Sequence, residues 1–143
     1  MYEYHVKMER TAVSVDVVSF RNSSLAADLL ISRFGMRDEA QEVFYLVSLD
    51  SNLNVIGYQL ISRGSMTATP VDIPLLLRSA LLTGAKTFII SHNHPAGDAY
   101  PSREDLSVTT KIKEAFQLLG LQIADHIIIS PESSYSFSEH GIL

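Results

Sequence analysis

Two histidines one residue apart, His92 and His94, follow the apolar run Thr87-Phe88-Ile89-Ile90. That run reads as a buried strand, and alternate residues of a strand leave the same face, so both imidazoles are expected on one side before Pro95 ends the strand. Two histidines joined by one carboxylate from a neighbouring helix make three protein ligands and leave a fourth tetrahedral position for water. That is the arrangement of a catalytic zinc site, whereas structural sites are closed by four protein ligands. The carboxylate on offer lies in Ser102-x-x-Asp105, which opens the helical stretch after the loop. Taken alone, Ser-x-x-Asp is a helix N-cap in which each side chain serves a first-turn N–H, and an isolated His-x-His is often incidental. A carboxylate that binds metal is not free to be a full-time cap. On the metal reading, Ser102 is therefore expected to hold the cap, or a catalytic role, by itself.

The elements that must position these groups follow from periodicity and turn chemistry. Residues 12–18 alternate as a short strand, and a helix opened by Asn22 or Ser23 carries Leu25, Leu29 and Leu30 to Phe34, with Gly35 as its C-cap. A strand over residues 42–49 turns at Asp50-Ser51-Asn52-Leu53-Asn54 into a strand over 55–62. Residues 64–70 read as loop. Asp72 caps a helix with Pro74 in its first turn, Leu77, Ala80 and Leu81 as its buried stripe, and Gly84 at its end. The strand over 86–90 delivers the histidines. Val108, Ile112, Ala115, Phe116 and Leu119 then keep helical spacing up to Gly120, with a last strand over 121–130. The order β-β-α-β-α-β predicts an α/β domain with a mixed, curved sheet between helices.

Other polar residues have plainer readings. Asp125 and His126 are strand neighbours on opposite faces and cannot form a dyad. A structural role is favoured for them, one hydrogen-bonded inside and the other near the surface. The alternative is a contact that orients a metal ligand. His5 and His140 read as surface residues and Asp98 as a turn residue.

The spacing His92-x-His94, seven residues, then Ser102-x-x-Asp105 resembles the JAMM (JAB/MPN) metallopeptidase domains. Within them, the wording His-Asn-His-Pro-Ala-Gly-Asp, Pro-Ser-Arg-Glu-Asp, Asp125-His126-Ile127-Ile128-Ile129 and Ser136-Phe137-Ser138-Glu139-His140-Gly141 resembles the RadC-like proteins. The resemblance implies a single α/β, cytidine-deaminase-like domain over residues 38–143, with residues 1–37 as a strand and helix extension packed on it. It implies one Zn2+ per chain held by His92, His94 and Asp105. Glu42, which spacing alone does not distinguish from Glu39, Glu114 or Glu132, becomes the general base, and Ser102 the donor to the oxyanion. The implied activity is zinc-dependent hydrolysis of an amide or isopeptide bond in a peptide or protein tail of unknown identity. A metal-free scaffold module and a DNA-repair-associated nuclease are the alternatives.

Composition narrows these classes. The chain has 143 residues, 46% of them hydrophobic and 19% charged, the size and make-up of one globular domain. It contains no cysteine, so disulfides, thiolate zinc sites and thiol nucleophiles are excluded, and any zinc must use histidine and carboxylate. The net charge of −5 is uneven: residues 38–143 hold six Lys/Arg against twelve Asp/Glu. No basic cluster is available to neutralise phosphates, which makes direct nucleic-acid binding unfavourable. The residues before position 38 are too few for the helix-hairpin-helix region that RadC-like proteins usually carry. The amino terminus has charges where a signal peptide needs apolar residues, and no run reaches membrane length, so a cytoplasmic protein is the expectation.

Overall fold

The computed structural model describes residues 1–5, 7–12, 19–20, 22–64 and 71–143. Most of the strand expected over 12–18, and the loop over 65–70, lie outside the described residues. Among the described residues the elements run α1 (Ser23–Phe34), β1 (Glu42–Leu49), β2 (Val55–Gly64), α2 (Ile73–Thr83), β3 (Thr87–Asn93), α3 (Arg103–Leu118), β4 (Gln122–Ile129) and β5 (Ser134–Ser136). The strands form one mixed sheet in the order β2-β1-β3-β4-β5. β3 and β4 are parallel, joined through α3, and every other pairing is antiparallel. The α/β class and the mixed sheet flanked by helices are those the sequence predicts.

Local chemistry explains the element ends. The Asn22 side chain accepts from Leu25 N–H to start α1, and Asp72 does the same with Leu75 for α2, where proline occupies the first turn. In the β1–β2 turn, Asp50 Oδ1 accepts from the N–H groups of Asn52 and Asn54 at 2.8 Å each, a carboxylate standing in for missing backbone partners. The end of α3 is a Schellman motif: Gly120 N–H donates to Gln117 and Leu121 N–H to Phe116, with Gly120 at φ 69° supplying the left-handed residue.

Each face of the sheet carries a core. On one, α1 contributes Ala26, Leu29 and Leu30 against Val43, Val47, Leu49, Ile89, Ile127 and Ile129. On the other, α2 and α3 contribute Leu76, Ala80, Ile112 and Phe116 against Phe44, Leu46, Phe88 and Ile90, with Phe88 and Phe116 edge to face at 5.4 Å. The period-2 alternation of β1 and β3 thus divides their side chains between two cores.

Several boundaries differ from expectation. α2 is turned so that Leu76, Ser79 and Ala80 face inward, while Leu77 is only partly buried and Leu81 is 55% exposed. Positions 76, 79 and 80 satisfy the same i, i+3, i+4 rule, so periodicity alone leaves a choice of face that packing makes. Leu119, the C-cap residue of α3, is also exposed. β3 runs to Asn93, because the chain stays paired with β1 and β4 beyond Ile90. β5, three residues long, has no sequence signal of its own and forms by pairing with the end of β4.

Candidate metal centre

The histidines sit where the parallel pair β3–β4 ends and α3 begins, at the carboxyl ends of those strands. His92 lies inside β3, opposite Phe44 of β1, and His94 follows the last strand residue, its N–H still bonded to Ile129 C=O at 2.8 Å. Residues 95–101 form the loop that returns the chain to Ser102. The first turn of α3 then brings Asp105 up to both rings.

Donor atoms of three side chains converge. His92 Nε2 is 3.0 Å from His94 Nε2 and 3.1 Å from Asp105 Oδ1, and His94 Nε2 is 3.4 Å from Asp105 Oδ2. Ligands about 2.0–2.2 Å from a tetrahedral zinc lie about 3.3 Å apart, and these separations, which reach the two different oxygens of Asp105, are of that size. Among the described residues it is the group of three His, Cys, Asp or Glu side chains that could hold a metal ion. The chemistry of the donors fits as well. His94 Nδ1 lies 2.8 Å from the Asp98 carbonyl, which can only accept, so the proton sits on Nδ1 and a neutral His94 offers a bare Nε2 to the centre. The loop residue Asp98 therefore matters through its backbone. Its carboxylate accepts from Tyr100 N–H in a local turn, as its reading as a turn residue predicts.

Asp105 reaches the histidines and also serves the helix start, where Ser102 does not hold the cap by itself. Ser102 and Asp105 form a reciprocal capping box: Asp105 N–H donates to Ser102 Oγ at 3.1 Å and Ser102 N–H to Asp105 Oδ2 at 2.7 Å. Oδ1 is left for His92. The duties overlap, since the capping oxygen Oδ2 also lies 3.4 Å from His94 Nε2. The Ser102 hydroxyl also donates to Asp105 Oδ2 at 2.6 Å, so it must swing away before it can donate to anything else. Burial pushes the Asp105 carboxyl up, yet its contacts with the His92 and His94 rings and the Ser102 hydroxyl outweigh it and hold the group well below the ordinary carboxylate range. His94 is raised in turn, first by its hydrogen bond with Asp105.

Glu42 begins β1 two residues before Phe44, which pairs with His92 in the antiparallel β1–β3 register, so it lies on the same face. It is half-buried and lines an open cleft with His94, Pro95, Ala96, Gly97 and Asp98. Its strand is pinned by Asn93, the residue between the histidines. Asn93 Oδ1 accepts from Val43 N–H at 2.7 Å, and Nδ2 donates to the carbonyls of Gln41 and Glu39 at 3.1 and 3.3 Å. The residues on either side of Glu42 are thus bonded to one buried amide.

Asp125 and His126 are both buried, at 6% and 0% exposure, so neither is near the surface as expected. They do take opposite faces. Asp125 accepts from the N–H groups of His126 and Ser138 and from the Ser136 hydroxyl. His126 turns to the metal side, with Nε2 2.8 Å from His92 Nδ1 and Nδ1 2.6 Å from Thr109 Oγ1. Burial pushes its pKa well below the ordinary histidine value. His140 is exposed, stacked on Tyr135 with its Nδ1 near Ser136 C=O, and His5 is exposed. Sequence reasoning missed Asn93 and Thr109. The available signals were a buried amide between two histidines and a threonine one helical turn after Asp105.

Relatives carry the same domain. A UPF0758 protein of Acinetobacter baumannii is 38% identical over 88% of this chain and 53% of its own length. UPF0758 protein YfjY of Escherichia coli K12 is 32% identical over 88% of this chain and 78% of its own length. A UPF0758 protein of Methanosarcina acetivorans is 39% identical over 76% of this chain and 47% of its own length. The chain spans about half the length of most of these curated relatives. No helix among the described residues is long and apolar enough to cross a membrane. The family model for the RadC-like JAB domain matches residues 20–142, and the chain belongs to that family.

Proposed function

We propose that this domain is a zinc-dependent hydrolase of amide or isopeptide bonds, acting on an extended peptide or protein tail. The observation that carries the reading is the convergence of His92 Nε2, His94 Nε2 and the Asp105 carboxylate, with contacts of 3.0–3.4 Å, beside a cleft that Glu42 lines. His92, His94 and Asp105 would hold the ion. A divalent cation there supplies Lewis acidity, which brings the ionisation of water from about 15.7 toward about 7. Glu42, held through its neighbours by Asn93, takes the proton from the attacking water and returns it to the leaving amine. This role needs hydrogen-bond reach to the water and no coordination. Ser102, once its hydroxyl leaves Asp105, donates to the oxyanion, an interaction whose loss costs about 2.7–4 kcal/mol. Main-chain pairing to an exposed strand edge would hold the tail extended.

The test is elemental analysis of the purified protein beside a His94→Ala, Asp105→Ala double variant. About one zinc per chain is expected, absent from the variant. Peptide, isopeptide and nucleic-acid substrates are then tried with Glu42→Gln as the inactive control. No zinc after reconstitution would overturn the reading and leave a scaffold module. Cleavage of nucleic acid but not of peptides would overturn the substrate class.

A further inference from the structure

We propose that Thr109 and His126 are positioning residues for the metal centre: through a directed hydrogen-bond chain they hold His92 in the tautomer that carries its proton on Nδ1, leaving Nε2 bare toward His94 and Asp105. The inference rests on reading His92 as a ligand, and deepens that reading.

The direction of the chain follows from which atoms own a proton. Thr109 Oγ1 is 2.6 Å from the Asp105 carbonyl oxygen. Two oxygens that close need a hydrogen between them, and a carbonyl has none, so the threonine donates its single proton there. Thr109 Oγ1 is also 2.6 Å from His126 Nδ1. Having spent its proton, the hydroxyl can only accept, which places a proton on His126 Nδ1. The His126 ring is fully buried, stacked on Phe137 at 4.5 Å and beside Phe44 at 5.9 Å. Its two hydrogen-bonding neighbours are an uncharged hydroxyl and an imidazole, so nothing in contact compensates a second proton. His126 Nε2 is therefore a bare acceptor, and at 2.8 Å it takes the proton of His92 Nδ1. The chain begins at the backbone of Asp105 and ends on His92, so one ligand's main chain helps orient another ligand's ring.

The geometry explains the placement of both residues. Thr109 stands one turn after Asp105 on the inward face of α3, and it is 2% exposed. The parallel register sets His126 opposite Ile90, two residues before His92 and so on the same face. In metal sites such outer partners fix tautomer and ring orientation, and their loss commonly lowers metal affinity about 10–100-fold.

The test uses the full chain and zinc alone. Thr109→Val keeps the shape and removes the acceptor for His126 Nδ1–H, which favours the other His126 tautomer and, through it, a proton on His92 Nε2. Nitrogen-15 NMR of zinc-free protein should show His92 and His126 protonated on Nδ1 in the wild type and in Thr109→Ser, and His92 shifted toward the Nε2–H form in Thr109→Val. Zinc affinity, read by chelator competition, should fall 10–100-fold in Thr109→Val and in His126→Phe, and recover in Thr109→Ser. A wild type that binds zinc, with Thr109→Val unchanged in affinity and in His92 tautomer, overturns the relay alone. A wild type that takes no zinc overturns the relay together with the metal centre, so the two failures are distinguishable.

Discussion

Asp105 closes the first turn of α3 with one oxygen and faces His92 with the other, so substitutions can separate the two duties. Asp105→Asn keeps an oxygen for the cap but loses the charge a cation needs. It is expected to abolish zinc uptake and, because the folded protein favours the ionised carboxyl, to destabilise the metal-free protein near neutral pH as well. Ser102→Ala removes the hydroxyl that caps Asp105 N–H and should cost about 1 kcal/mol, with zinc retained. Urea unfolding in chelator, beside elemental analysis, checks both, and zinc loss in Ser102→Ala would count against the division of labour. Residue identities of this kind were legible because His92, His94, Ser102 and Asp105 fall within fourteen residues and their spacing reports their proximity. Glu42 was legible only through family resemblance, since it reaches the cleft by strand pairing across some fifty positions. Thr109 was hidden for the same reason, and His126 was singled out with a contact to a metal ligand only as the less favoured reading, because their chain of contacts exists only once β3, β4 and α3 are packed.

At the scale of elements, two buried side chains fasten segments that regular secondary structure leaves loose. Asn93 bonds three backbone groups around the start of β1, and Asn93→Ala should expose Val43 N–H to exchange and destabilise the fold by about 1–3 kcal/mol for each polar group left buried and unpartnered. Amide exchange at Val43 measures this directly, and undiminished protection would refute it. Asp125 accepts three hydrogen bonds, two of which tie β4 to Ser136 of β5 and to Ser138 just after it. Burial raises its pKa above the ordinary carboxylate value, despite those donors. The native protein then holds the proton to higher pH than the unfolded chain does, so this group's contribution is greatest below the unfolded value of about 3.9 and declines as pH rises through the raised one. Asp125→Asn keeps the contacts, since the Ser136 hydroxyl can reverse, and cannot titrate. The difference in stability between wild type and variant should therefore move in the variant's favour with rising pH across that window. A difference independent of pH would show that Asp125 is not the titrating group. The helices and long strands were readable from periodicity and caps, whereas the rotation of α2 and the existence of β5 depended on what lay across the core.

In the whole molecule the metal centre is a junction. The residues that could hold an ion come from β3, from the loop after it and from α3, while His126 adds β4 and the pinned start of β1 borders the cleft. The strand order β2-β1-β3-β4-β5 makes this possible by setting β1 beside β3, a pairing that the sequence order of elements does not disclose. Because these segments meet at one point, an ion bound only by the folded chain stabilises all of them together. Free zinc at 100 times its dissociation constant should add about 2.7 kcal/mol to unfolding, and at 1,000 times about 4.1. For a domain of this size that is a rise in melting temperature of roughly 10 °C, reversed by chelator. The His94→Ala, Asp105→Ala variant should melt at one temperature with or without zinc. Thr109→Val should approach the wild-type rise only at 10–100-fold higher free zinc, because it weakens the ion's hold without removing a ligand. A wild-type melting temperature that ignores zinc over this range would leave the three converging donors as an internal hydrogen-bonded cluster and would remove the basis for a hydrolase.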